Sequence, residues 1–143
     1  MKFKKLLSLA LSFMLILSVA LMGLFGITAS AETTTSGTTG DCIWTLDGTV
    51  LTISGNGQIG DYDNPWGNDI TEVIIEEGVT SIGYNAFLGC TELTSITIPN
   101  SVTSIEGYAF YGCTGLTNVT VPDSVTSISE GAFSGCAGLI SIT

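Results

Sequence analysis

Histidine and arginine are absent from the 143 residues, and the only lysines are Lys2, Lys4 and Lys5. Past residue 5 the chain therefore carries no cation, against 13 carboxylates in all. Nothing basic remains to release the counterions of a phosphate backbone, which excludes nucleic-acid binding. Anionic lipid surfaces are disfavoured for the same reason. Without His or Lys, a nucleophilic Cys or Ser has no ordinary base or cationic neighbour to activate it. Without His and without a C-x-x-C pair, a zinc site has no ligand set. A pair of carboxylates could in principle cleave a glycoside. Glu76, Glu77, Glu92, Glu106 and Glu130 read instead as surface positions, and no pair is marked out. The expectation is a protein that is not an enzyme, with no cofactor and no metal.

The three lysines open the layout of a secretory leader. An apolar run follows from Leu6 to Ile27, and Ala29-Ser30-Ala31 is a small-x-small cleavage site. An apolar run of that length could also span a bilayer. Ser8, Ser12 and Ser18 with the Ala-Ser-Ala site favour a signal peptide over 1–31, cut after Ala31. No cysteine stands directly after the site to take a lipid. Removal of the leader moves the charge from 3 − 13 = −10 to 0 − 13 = −13. The location expected is secreted, extracellular or cell-surface, with no membrane contact after cleavage.

What is abundant is repetition. Residues 79–97 read VTSIGYNAFLGCTELTSIT, 102–120 read VTSIEGYAFYGCTGLTNVT and 125–143 read VTSISEGAFSGCAGLISIT. The copies start at the evenly spaced Val79, Val102 and Val125, and ten of the 19 aligned positions are identical in all three. Self-similarity at this period is the signature of a solenoid, in particular a leucine-rich repeat. Ile70, Val73 and Ile75 stand one period before Leu93, Ile96 and Ile98, so the repeat region is placed at 70–143, its last copy incomplete. Alternation sends Ile96 and Ile98 inward and Thr97 outward. Pro99 and Pro122, lacking an N–H, end that strand. Val102 to Ile105 forms a second short segment. Ala109, Phe110 and Cys113 add inward groups, with Gly112 permitting a tight turn. Stacking coils puts Phe on Phe and Leu on Leu along one core.

Ahead of the repeats, ETTTSGTTG over 32–40 is too polar to bury anything and reads as a flexible N-terminus. Residues 41–69 read as a cap made of a β-hairpin and an acidic loop. Trp44 and Leu46 precede Asp47-Gly48, a favoured hairpin turn, and Leu51 and Ile53 follow it. The loop DYDNPWGND over 61–69 starts like a calcium loop, but Pro65 and Trp66 occupy its fifth and sixth places, and only Glu72 at the twelfth fits. It reads as a solvated loop with Trp66 packed over the first coil. Cys90, Cys113 and Cys136 recur at one repeat position, where a buried thiol serves as a small apolar group. An even count of four in a secreted chain would also allow two disulfides. The repeat favours core thiols.

The phrases IPNSVTSIEGYAFYGCTGLT and VPDSVTSISEGAFSGCAGLI resemble the BspA-like leucine-rich repeats of bacterial surface and secreted proteins. WTLDGTVLTISGNG and ITEVIIEEGVTSIG are similar to the lead-in of such proteins, so the likeness covers about Asp41 to Thr143. It implies a right-handed solenoid and an extracellular interaction role such as adhesion, with no catalytic residues and no fixed partner. The fold expected is thus a β-rich leucine-rich-repeat coil stack with a hairpin lead-in. Its function is a secreted or surface binding module for a protein or glycan ligand. The alternative is a structural spacer or a truncated part of a larger surface protein. The candidate binding face is Thr97, Thr120, Thr103, Thr126, Ser104 and Ser127, outward hydroxyls repeated from coil to coil. Asn118-Val119-Thr120 matches a glycosylation sequon. Ile142-Thr143 stops where earlier copies run into Ile98-Pro99 and Val121-Pro122, so an open C-terminal edge is expected to self-associate.

Overall fold

Alternating apolar residues after Asp41 build the first pair of strands, and the second of them starts the solenoid. In the computed structural model of the protein the described residues are 34–62 and 64–143. The expected leader 1–31 and its cleavage site lie outside them. Strand β2 (Cys42–Asp47) pairs antiparallel with β3 (Val50–Gly55); β2 sends Trp44 into the core, and β3 sends Leu51 and Ile53. Asp47 pairs with Val50, so the turn is Gly48-Thr49, one residue later than the expected Asp47-Gly48. Gly48 has φ 60°, while neither Asp47 nor Thr49 has a positive φ. That is the pattern of a Gly-X turn, which needs a left-handed residue only at its first central position.

A strand lies within the polar stretch 32–40, read from the sequence as a flexible terminus. Thr35–Thr39 forms β1, antiparallel to β2 over five pairs from Thr35↔Leu46 to Thr39↔Cys42. Two side-chain facts hold it in place. Gly37 lies opposite Trp44, where a Cβ would come within 2.9 Å of the indole, so the missing side chain lets the ring lie flat on the strand. Thr39 is buried, and its hydroxyl accepts the Gly60 N–H at 3.0 Å.

Strand β3 is also the first rung of the stack, so the coils begin ahead of Ile70. It pairs parallel with β5 (Glu72–Ile75) from Val50↔Glu72 to Ile53↔Ile75, and β5 pairs with β7 (Ser95–Thr97). On the second wall β4 (Gly57–Gln58), β6 (Val79–Ile82), β8 (Ser104–Ile105) and β10 (Ser127–Ile128) make a parallel four-stranded sheet. Further along the first wall, β9 (Asn118–Val119) pairs with β11 (Ser141–Ile142). Each coil thus contributes one strand to either wall, and the chain is a β-solenoid with no helix among the described residues. On the remaining side, turns are bonded from coil to coil without strands. The N–H of Phe87 donates to Ala109 O at 2.8 Å, Gly89 to Tyr111 O at 2.8 Å, Phe110 to Ala132 O at 2.8 Å and Gly112 to Ser134 O at 2.9 Å. These bonds satisfy backbone groups that burial would otherwise leave unpaired.

One continuous core runs from Cys42 to Leu139 within the compact unit Glu32–Thr143. An aromatic file runs along it. Trp44 meets Trp66 edge-on at 6.2 Å, Trp66 stacks on Phe87 at 5.4 Å, Phe87 on Phe110 at 5.2 Å and Phe110 on Phe133 at 5.1 Å. Both Phe–Phe pairs are within 8° of parallel, as stacking by pure repetition demands. Leu93, Ile96, Ile98 and Leu116 point inward as the alternation predicts. Trp66 of the acidic loop fills the phenylalanine slot of the first coil.

Candidate binding face

The six hydroxyl residues divide between the two walls. Thr97 closes β7, and Thr120 follows β9 one coil on; both are exposed, and neither hydroxyl has a hydrogen-bond partner among the described residues. Thr103, Ser104, Thr126 and Ser127 lie on the wall of β8 and β10. There the hydroxyls are partly used up in joining coils. Thr103 Oγ1 donates to Thr80 O at 3.2 Å, and Thr126 Oγ1 to Thr103 O at 3.4 Å. Ser104 is half-buried, shares a hydrogen bond with Ser81 at 2.8 Å and donates to Glu106 Oε1 at 3.0 Å. Ser129 reaches the other oxygen of Glu106 at 3.4 Å. Glu106, read from the sequence as a surface acid, is therefore half-buried and tied into three consecutive coils through serines.

A second surface feature lies where the β4-β6-β8-β10 wall gives way to the turns. All four tyrosines of the chain fall in one line. The rings of Tyr62 and Tyr84 are 4.8 Å apart, Tyr84 and Tyr108 5.6 Å, and Tyr108 and Tyr111 5.8 Å. Tyr62 is 72% exposed and Tyr111 46%. Tyr62 and Tyr108 both have positive φ, 53° and 55°, as does Asn85 in the coil between them. The rings lie down along the stack because the next coil offers glycine. A Cβ on Gly107 would sit 3.0 Å from the Tyr84 ring, and one on Gly131 2.5 Å from that of Tyr108.

The family model described as "BspA type Leucine rich repeat region (6 copies)" matches residues 58–143, which is more than half of the chain and begins inside the first coil. The chain belongs to the BspA-type leucine-rich repeat family. Among solved structures it is similar to three bacterial leucine-rich repeat proteins. That of Bacteroides capillosus is 20% identical with a TM-score of 0.57, covering 75% of this chain and 96% of that one. Those of Eubacterium ventriosum and Bacteroides ovatus are 23% and 22% identical with TM-scores of 0.51 and 0.52, each covering 77% of this chain. This chain spans only 44% and 39% of those two proteins. At these identities the likeness is one of fold. A comparison with curated proteins returns no match.

BspA-type repeats form modules that generally bind proteins, and the reactive groups of this chain fit a structural use. Cys42, Cys90, Cys113 and Cys136 are buried free thiols. The Cys113 thiol donates to Phe87 O at 3.2 Å and the Cys136 thiol to Phe110 O at 3.0 Å, so each cysteine bonds the phenylalanine of the preceding coil. Burial pushes the Cys90 thiol up to about 12 and raises that of Cys113 further. A thiol so held is neutral, whereas nucleophilic chemistry requires the thiolate. Asp61 of the acidic loop is engaged by Gln58 Nε2 at 2.9 Å and by the Tyr84 N–H at 2.8 Å. No group of three His, Cys, Asp or Glu among the described residues is placed to hold a metal ion.

Proposed function

We propose that the protein is a non-catalytic binding module working outside the cell, whose coils present a repeated uncharged surface to a partner protein. The observation that carries this reading is the pair Thr97 and Thr120, equivalent positions on consecutive coils that are exposed and whose hydroxyls have no partner among the described residues. Extended solenoid faces of this kind are a common binding surface of repeat proteins. The family's occurrence in bacterial surface and secreted proteins and the leader-like residues 1–31 both support an extracellular location. Adhesion to another cell or to a host surface is the form of binding that this placement favours.

A spacer role is the second reading, and the Thr103, Thr126 and Ser104 hydroxyls favour it, because they already serve to join coils. One double variant separates the two. In Thr97→Lys/Thr120→Lys, two exposed cations replace two hydroxyls on an otherwise cation-free unit. The binding reading expects attachment to a partner-bearing surface to be lost while circular dichroism and Tm stay close to those of the parent. Full attachment by the folded double variant would remove this face from the account.

A further inference from the structure

The tyrosine line has a built geometry that the repeat alone does not require. Aligned by coil, Asp61, Tyr84, Gly107 and Glu130 occupy one column, and Tyr62, Asn85, Tyr108 and Gly131 occupy the column beside it. The first column thus has a carboxylate at either end, and the rings of Tyr62, Tyr84 and Tyr108 zigzag between the two columns. Three coil steps of about 4.8 Å put Asp61 and Glu130 about 14 Å apart. Partial desolvation and the neighbouring phenols of Tyr62 and Tyr108 raise the Tyr84 hydroxyl above its ordinary value.

Charge decides what such a strip fits. The compact unit Glu32–Thr143 has no Lys, Arg or His, so nothing within it neutralises these carboxylates. The face of a tyrosine ring attracts a guanidinium or ammonium group. A carboxylate at each end draws a cation of the same ligand and fixes its register. An extended peptide advances about 3.4 Å per residue, so side chains four residues apart span about 14 Å.

We propose that the tyrosine line, with Asp61 and Glu130 at its ends, is a docking strip for an extended basic segment of a partner protein, with Arg or Lys at positions four apart. The proposal rests on the protein-binding reading above and names the chemistry of the partner and a second surface for it. The intervening residues of the segment lie over the Tyr62, Tyr84 and Tyr108 rings, and its end cations meet the two carboxylates. Arg suits this strip better than Lys, since its planar group stacks on a ring while donating to a carboxylate.

The test uses the Glu32–Thr143 unit and fluorescein-labelled peptides in a fluorescence-anisotropy titration. The probe is Gly-Arg-Gly-Ser-Gly-Arg-Gly, and the controls are the same peptide with both Arg replaced by Glu and a neutral labelled maltohexaose. Saturable binding of the Arg peptide alone is expected, weakened by 0.5 M NaCl because the contacts are exposed. Tyr62→Asn/Tyr108→Asn keeps the backbone, since Asn85 already occupies the equivalent left-handed position. Asp61→Asn/Glu130→Gln keeps an acceptor for the Tyr84 N–H. Each pair should weaken binding about tenfold or more at unchanged Tm. Equal binding by both double variants, equal binding of the Glu peptide, or preference for the oligosaccharide would overturn the proposal. Absence of peptide binding together with attachment that depends on Thr97 and Thr120 would overturn the strip and leave the binding module standing. Absence of both would overturn both.

Discussion

Replacing Phe110 by alanine tests the packing that joins one coil to the next. The ring is fully buried, with Phe87 at 5.2 Å on one face and Phe133 at 5.1 Å on the other. Burying a phenylalanine side chain contributes about 1.5–3 kcal/mol. Two aromatic contacts add about 0.5–1.5 kcal/mol each. The loss centres on about 4 kcal/mol, inside the range of about 3–5 kcal/mol typical of Phe→Ala in cores. With a urea m-value of about 1.5 kcal/mol/M for a unit of this size, the midpoint should fall by about 2–3 M at unchanged m. Phe133 is only half-buried and stacks on one ring, so Phe133→Ala should cost about half as much. Urea unfolding followed by circular dichroism and tryptophan fluorescence measures both. A Phe110→Ala midpoint within about 0.5 M of the parent, or a larger loss at Phe133, would refute the shared-core reasoning.

The thiols supply two further predictions. Because Cys90 is pushed from 9.0 to about 12 by burial, the folded state holds its proton where the unfolded state releases it. That contribution is complete below pH 9 and is lost as pH rises towards 12, at up to about 1.4 kcal/mol per pH unit for a buried thiol, so urea midpoints should fall across this window. A flat midpoint from pH 9 to 11 would contradict the burial. At pH 8 the four free thiols should react slowly with Ellman's reagent in the native state and fully in urea, giving four equivalents. A count below four in urea without reductant would mean that disulfides had formed.

Much of the architecture was legible because identical slots recur. Val102, Phe110, Cys113 and Leu116 each have counterparts one full period away on both sides, so their inward placement followed from repetition. The first coil was hidden because Trp66 fills the phenylalanine slot and because Val50 pairs with Glu72, one position short of the period. Strand β1 was hidden because it is held by a threonine hydroxyl and by a glycine under an indole, neither of which leaves a hydrophobic pattern. Alternation placed the hydroxyl rows on the two walls, but sequence could not tell which hydroxyls the neighbouring coil would engage. The tyrosine line escaped because Tyr84 and Tyr108 are separated by one position more than the period and fall in adjacent columns, so a search at the repeat period passes over them.

Native-state hydrogen exchange resolved by residue tests most directly whether the coils form one cooperative stack. In a single stack, the amides bonded from coil to coil, those of Phe87, Phe110, Glu106 and Ser129, exchange slowly and with similar opening free energies. Exchange of the Phe110 and Ser129 amides as fast as that of the exposed Gly67 turn, with Phe87 still protected, would contradict a single stack.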